Sequence, residues 1–458
     1  MAGSAALVLR FDHGSLLVES GPGIPAGLPA YLTWDERVKA HRCFAIHYRT
    51  VVQYLTRRGF SFQDSARRYA ELSLSSTALP APFPHQLEGL EAWRRGKRGL
   101  VELPTGSGKT LLGLLAIADA RRDTLVLVPT LELVTQWCLA IERDLGIVPG
   151  AVGGGSFDLR PVTVCTYASA YRHAEHFGDR FGLAIFDECH HLAGEGFARI
   201  AECLIAPYRL GISATFERED GRHSVLEQLV GPLLYKKGIP ELSGQYLSDY
   251  EVRTIHTELN PAEREAYQAA RSRYLDFARE QGITMASRGD WRRFVFAASR
   301  GEEGRAALAA YFQQKRLAFS AEAKFAVCAE LLHRHRGERV LIFTNDNATA
   351  YEVSRRLLLP IITHQTRVAE RREILSRFRD GGWPFLVTSK VLNEGVDVPA
   401  AGVAVILSGN ASVREHVQRL GRILRKQPGK QAVLYEVLTR RTAEESTSIR
   451  RRQHDAYR

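Results

Sequence analysis

The chain has no closely paired cysteines, no long apolar run and little lysine. Its six cysteines (Cys43, Cys138, Cys165, Cys189, Cys203 and Cys328) are scattered singly, which excludes the spacing of a zinc ribbon or a redox dithiol. Cys189 stands beside His190 and His191, but three consecutive residues do not converge easily on one ion. A reduced thiol next to a motif histidine is the expectation. No stretch approaches the roughly 20 apolar residues that cross a bilayer, and the first residues show no signal-peptide pattern. A cytoplasmic protein with no membrane partner is therefore expected. Lysine is scarce, yet the net charge is +11, carried mostly by arginine. Such a surplus favours polyanionic partners through counterion release; a solvated, arginine-rich surface would look the same.

At 458 residues the chain is too long for one core, and length suggests about three domains. Hydrophobic content of 45% and charged content of 25% are those of an ordinary globular protein. Two stretches show short β-branched strands alternating with helical patterns, the signature of parallel sheets with crossover helices. The first places strands at Gly99–Leu103, Thr124–Val128, Val162–Cys165, Leu183–Phe186 and Leu210–Ser213. The second places them at Val340–Thr344, Pro360–Thr363, Phe385–Thr388, Val403–Leu407 and Ala432–Val437. Such near-continuous apolar strands are buried on both faces. The expected fold is α/β: two tandem doubly wound lobes at 77–238 and 239–458, preceded by a small α+β accessory domain at 1–76. That domain shows a hairpin, Ala6–Phe11 with Ser15–Glu19, and a helix near Tyr48–Arg58; Ser73–Pro84 reads as a linker.

A helical insertion at about 258–319 interrupts the second lobe. Asn260 can cap a helix, Pro261 suits its first position and Glu263 follows at the third. Tyr267, Ala270, Tyr274, Phe277 and Ala278 make one apolar stripe. Periodicity leaves two readings open, a helix packed on its own lobe and a projection that touches nucleic acid.

Chemistry is carried first by Leu103-Pro104-Thr105-Gly106-Ser107-Gly108-Lys109-Thr110, which follows a strand and opens a helix, as a P-loop does. Gly106 and Gly108 let the backbone approach a phosphate, whose charge the loop N–H groups and the helix N-terminus hold. Lys109 would reach the β- and γ-phosphates of ATP, and the Thr110 hydroxyl would ligate magnesium. Leu103 takes the place of the usual first glycine. Asp187-Glu188 ends a buried strand, where parallel sheets bind ligands. Asp187 would hold magnesium, and Glu188 would orient or deprotonate the attacking water. Gln418–Arg425 puts Arg422 and Arg425 on one helix face, where they could stabilise the γ-phosphate as arginine fingers or simply form a basic surface.

These residues, together with Asp187-Glu188-Cys189-His190 and Ser213-Ala214-Thr215, occur in this order over about 320 residues and resemble a superfamily 2 helicase. The closer resemblance is to XPB proteins of compact archaeal and bacterial type. It rests on Arg218-Glu219-Asp220 as the R-E-D element, Asn393–Pro399 as motif V and Gln418–Arg425 as motif VI. It also rests on the insertion, placed where the family has its thumb, and on Tyr48–Leu55, similar to its damage-recognition domain. The resemblance implies two RecA-like lobes and a monomeric, ATP- and magnesium-dependent DNA helicase or translocase. It further implies 3′→5′ polarity, action on single strands and duplex junctions in nucleotide excision repair, and a nuclease partner. Gln418 would join Arg422 and Arg425 in catalysis, and Gln86 would read the adenine edge. His190, Ser213 and Thr215 would link the ATP cleft to lobe closure. Pro129, Thr130, Thr166, Thr388 and Ser389 would contact the backbone of one DNA strand, alongside the R-E-D element. The rival readings are a non-catalytic clamp that recruits a nuclease, and another superfamily 2 motor such as an RNA helicase or restriction-type translocase.

Overall fold

The computed structural model describes residues 7–19, 29–74, 78–194, 196–216, 223–242, 244, 246, 250–285, 287–389, 401–408 and 432–445. The chain divides into two compact units that part near residue 241.

The first unit opens with a five-stranded sheet. Strands Leu7–Asp12 and Ser15–Glu19 form the expected hairpin, and Phe62–Ser65 returns parallel to the first of them. Helix Tyr48–Arg57 buries Tyr48, Val51 and Leu55 on this sheet. Ile205, far along the chain, completes the same core, so the small sheet is fastened to the larger part of its unit. Arg68 makes two hydrogen bonds to the buried Asp179 at that junction, and Arg49 donates to the carbonyls of Gly96 and Pro207.

The rest of the unit is an eight-stranded sheet. It runs Leu233–Lys236, Arg98–Glu102, Tyr208–Ser213, Leu183–Asp187, Thr124–Val128, Val162–Thr166, Gly150–Gly153 and Ser156–Phe157, parallel but for the last strand. The five strands expected from periodicity are all present and central. Three more lie at the two edges, where partial exposure weakens the apolar signal. Helices cover both faces: Leu112, Trp137 and Ile141 pack on one, Tyr167, Phe177 and Ile200 on the other. Register places Glu102, Val128, Thr166, Asp187 and Ser213 along one carboxyl-terminal edge.

The second unit holds a six-stranded, all-parallel sheet in the order Tyr250–Thr257, Ala432–Thr439, Val403–Ile406, Val340–Phe343, Phe385–Thr388, Ile361–Ile362. Tyr250–Thr257 was not among the expected strands, because its alternating polar residues read poorly as buried β-structure. Helices Pro261–Glu280, Arg288–Ala298 and Glu302–Phe319 come after it. Asn260 and Glu263 form the expected reciprocal cap. The apolar stripe, with Ala270, Tyr274 and Ala278 at its centre, meets Phe294 and Ala307 of the neighbouring helices and makes a separate small core. Its Tyr267 end touches the lobe, where the hydroxyl accepts from the Ala443 N–H. The linker ends at Phe83, because Pro84 is already the first residue of helix Pro84–Gly96.

Candidate nucleotide site and its neighbours

The loop Leu103–Gly108 joins strand Arg98–Glu102 to helix Lys109–Ala120. Leu103 is fully buried in the core, and its N–H donates to the Ser213 carbonyl at 3.0 Å. The missing first glycine is thus a packing position. Gly106 and Gly108 take φ of 90° and 83°, where a side chain is strained. Gly108 is the helix N-cap, so Lys109 and Thr110 open the first turn with its unpaired N–H groups. The Ser107 hydroxyl donates to the Pro104 carbonyl at 2.7 Å and tightens the loop.

Beside the loop stand the two carboxylates. Lys109 Nζ lies 3.4 Å from Glu188 Oε1, is enclosed, and has no hydrogen-bond partner among the described residues. Glu188 has a left-handed backbone, φ 47° and ψ 50°, at the abrupt end of strand Leu183–Asp187. A non-glycine residue held there stores strain of the kind found at functional sites. Asp187 is buried. Trp137 Nε1–H donates to its Oδ2 at 2.9 Å, and the Glu188 N–H donates to its Oδ1 at 3.0 Å. Burial, followed by the charge of Glu188, pushes the Asp187 carboxyl up to about 6, against the opposing pull of Lys109 and Trp137. The site is short of positive charge for the two acids it holds.

His190, Ser213 and Thr215 form one connected cluster. His190 Nδ1 is 3.0 Å from Ser213 Oγ, which donates to the Thr215 carbonyl at 2.9 Å; His190 also lies 3.5 Å from Glu188. Residues that sequence reasoning missed support the site from behind. Trp137 reaches Asp187 because Gly113 leaves room for its indole; a Cβ there would fall 2.4 Å from Trp137 Cη2. The Tyr167 hydroxyl donates to the Asp187 carbonyl. Glu102, buried at the end of its strand, accepts from the Phe216 N–H and pairs with Lys236. An acid closing a buried apolar strand was the available signal for Glu102. Nothing local marks Trp137 or Tyr167.

The remaining expected residues lie as follows. Gln86 is tied to the phosphate loop. Its Nε2 donates to the carbonyls of Ser107 and Gly108 at 2.9 and 3.2 Å, and its Oε1 accepts from the Phe83 N–H at 2.8 Å. It braces the loop. Thr130 and Thr166 are helix N-caps, accepting from the N–H groups of Leu133 and Ser169. Pro129 precedes the first of them. Thr388 and Ser389 are buried, and the Thr388 hydroxyl donates to the Ser389 carbonyl. Arg218, Glu219 and Asp220, motif V (Asn393–Pro399), and Gln418, Arg422 and Arg425 lie outside the described residues.

Comparison with known proteins adds sequence-wide evidence. Residues 9–66 match the xeroderma pigmentosum group B helicase damage recognition domain, 79–218 the type III restriction enzyme res subunit, and 323–427 the helicase conserved C-terminal domain. The chain is 37% identical over 446 residues to the DNA 3'-5' translocase XPB2 of Sulfurisphaera tokodaii, covering 97% of this chain and 99% of that one. The chain belongs to the XPB family. Another XPB relative, the DNA 3'-5' helicase XPB of Mycobacterium tuberculosis, is 32% identical across 78% of this chain, which spans 60% of that longer protein. Among solved structures, the Pyrococcus furiosus Hef helicase domain superposes with a TM-score of 0.52 at 18% identity, covering 80% of this chain and 97% of that one. That likeness concerns the fold, and it agrees with the two parallel-sheet lobes of this XPB chain.

Proposed function

We propose that the chain is an ATP-driven DNA helicase or translocase of 3′→5′ polarity, working in nucleotide excision repair or related DNA processing. One observation carries the reading. The enclosed Lys109 ammonium, with no hydrogen-bond partner among the described residues, meets Glu188 beside Asp187 at the carboxyl edge of a parallel sheet. A buried cation with unused donors is costly unless it serves a ligand, and the loop backbone around it suits a polyphosphate. The Thr105 hydroxyl, also without a hydrogen-bond partner among the described residues, supports the same fit.

In this reading Pro104 to Thr110 cradle the triphosphate and Lys109 neutralises its terminal oxygens. Thr110 and Asp187 would hold magnesium, which supplies further charge neutralisation on the phosphates. Glu188 orients the attacking water and takes its proton, aimed at Lys109 by its left-handed backbone. The cluster His190–Ser213–Thr215 touches Glu188 and would pass the state of the site onward. By the family resemblance, Arg422 and Arg425 would act as arginine fingers on the γ-phosphate. The reading extends to a monomeric, cytoplasmic motor that engages single strands and duplex junctions beside a nuclease, on the strength of the family resemblance. No helix among the described residues is long and apolar enough to cross a membrane.

DNA-stimulated ATP hydrolysis by Lys109→Ala tests the assignment: activity should vanish, and retained activity refutes it. Arg422→Ala should bind ATP normally and turn over slower by about 10³-fold or more. Unchanged turnover with weaker DNA binding would place Arg422 on nucleic acid.

A further inference from the structure

We infer that a cavity at the amino-terminal edge of the eight-stranded sheet binds a phosphate group through Arg121, Arg122 and Arg67. The site goes beyond the nucleotide reading and does not depend on it. The cavity holds about 360 Å³ and is lined by Arg67, Tyr69, Glu71, Arg121, Arg122 and Tyr208. Arg122 stands just before strand Thr124–Val128, and Tyr208 opens strand Tyr208–Ser213, which fixes the edge. The phosphate loop lies at the opposite edge, where the strands end. Helix Lys109–Ala120 starts at that loop and ends at the cavity, about 18 Å on at its usual rise per residue.

The charges favour an anion there. The acids at this edge are already engaged. Asp64 meets Arg67 and the Tyr48 hydroxyl, and Asp119 meets Arg94 and Lys97. Asp179 holds Arg68, and the Asp123 carboxylate accepts the Ala70 N–H. Neither Arg121 nor Arg122 forms an ion pair among the described residues, and neither does Glu71. The cavity wall therefore carries three guanidiniums against one carboxylate. The carbonyl end of helix Lys109–Ala120 attracts a cation as well. One guanidinium meets that need, and the Leu72 N–H already donates to the Arg121 carbonyl.

Arg122 is also held in place. Its guanidinium lies 4.1 Å from the Tyr208 ring centroid and 5.6 Å from that of Tyr69. Stacking engages the faces of a guanidinium and leaves the N–H fork on its edge, which matches phosphate oxygens in pairs. The wall around it is pinned. The Asp123 N–H donates to the Ala70 carbonyl at 3.1 Å, and the Leu72 N–H to the Arg121 carbonyl at 2.9 Å. A fixed cationic cavity with no acid of its own to match it is preorganised for an anion. The chemistry recognised is the phosphate group itself, which free polyphosphate and the nucleic-acid backbone both present.

The test uses the full chain, with inorganic tripolyphosphate and a short DNA duplex as separate probes. Lys109→Ala takes the phosphate loop out of a calorimetric titration, and one tripolyphosphate should still bind. Adding Arg121→Gln with Arg122→Gln should weaken that remaining site by about a hundredfold or more. Arg122→Lys, which keeps the charge but loses the fork, should weaken it by about tenfold. The urea midpoint should not move. Arg121 is exposed and pairs with no acid, so Arg121→Gln alone, with an expected loss of about tenfold, decides the matter if the double variant fails to fold. The duplex separates the two sources. If the slope of log affinity against log salt also falls by about two, the phosphates belong to nucleic acid; an unchanged slope assigns the site to free polyphosphate. The proposal is overturned if the arginine variants alter neither the tripolyphosphate affinity nor the duplex slope.

Discussion

Lys109 and Lys324 are both enclosed lysines in first turns of helices, one in each unit, and their surroundings are opposite. Lys324 is 1% exposed and donates to both oxygens of Glu444, at 2.9 and 2.7 Å, and to the Leu407 carbonyl at 2.6 Å. Glu444 also accepts the Thr439 N–H, so its carboxylate is matched as well. Lys109 has one carboxylate oxygen at 3.4 Å and no hydrogen bond among the described residues. A buried charge whose donors are all met holds structure together. One whose donors are unmet is held ready for something else. The sheet edges repeat the contrast: Glu102, Asp187 and Glu188 at the first, Thr344, Thr388 and Ser408 at the second.

The widest separation should appear when each lysine is removed. Lys109→Ala should lower DNA-stimulated hydrolysis by orders of magnitude while the urea midpoint barely moves. Lys324→Met should do the reverse, destabilising the chain by about 3–5 kcal/mol because Glu444 is left buried without its partner. Urea denaturation measures this, and Lys324→Met with Glu444→Leu should recover most of the loss. A catalytic defect without destabilisation in Lys324→Met would end the comparison.

Asp187 sharpens it through pH. Its folded carboxyl is raised to about 6 from an ordinary 3.8, so the folded chain holds the proton more tightly than the unfolded one. Stability should therefore be highest below about pH 4 as far as this group is concerned, and fall as pH rises through 6. Asp187→Asn should be inactive yet more stable than wild type at pH 8, by about 1–3 kcal/mol. The gain should vanish near pH 4 in thermal melts taken without magnesium. A pH-independent difference would show that Asp187 is not the source.

The smallest effect concerns the helix caps. Thr166→Ala should cost about 1 kcal/mol of stability through loss of the cap, with little change in single-strand affinity. Weaker DNA binding at full stability would make Thr166 a DNA contact after all.

Much of the fold was legible because buried parallel strands leave continuous β-branched runs, as at Thr124–Val128 and Phe385–Thr388, where the expected bounds match the structure. Edge strands such as Gly150–Gly153, and the polar-alternating Tyr250–Thr257, were not legible, since half-exposed strands carry a mixed pattern. The site divides in the same way. Gly106, Gly108, Lys109, Asp187 and Glu188 were readable because phosphate binding constrains residue type at fixed spacing along a strand–loop–helix turn.

The sequence by itself therefore determined the family, the two α/β lobes and the chemical groups that would hold a triphosphate. Tertiary structure alone decided what those groups lean on. Trp137 lies 50 residues from Asp187 in the chain and Gln86 lies 21 from Ser107, yet each donates a 2.9 Å hydrogen bond to that residue. No local pattern encodes a contact made across a sheet. Gln86 is tied to the phosphate loop for the same reason: its Nε2 donates to the Ser107 and Gly108 carbonyls, which only the folded loop brings within reach.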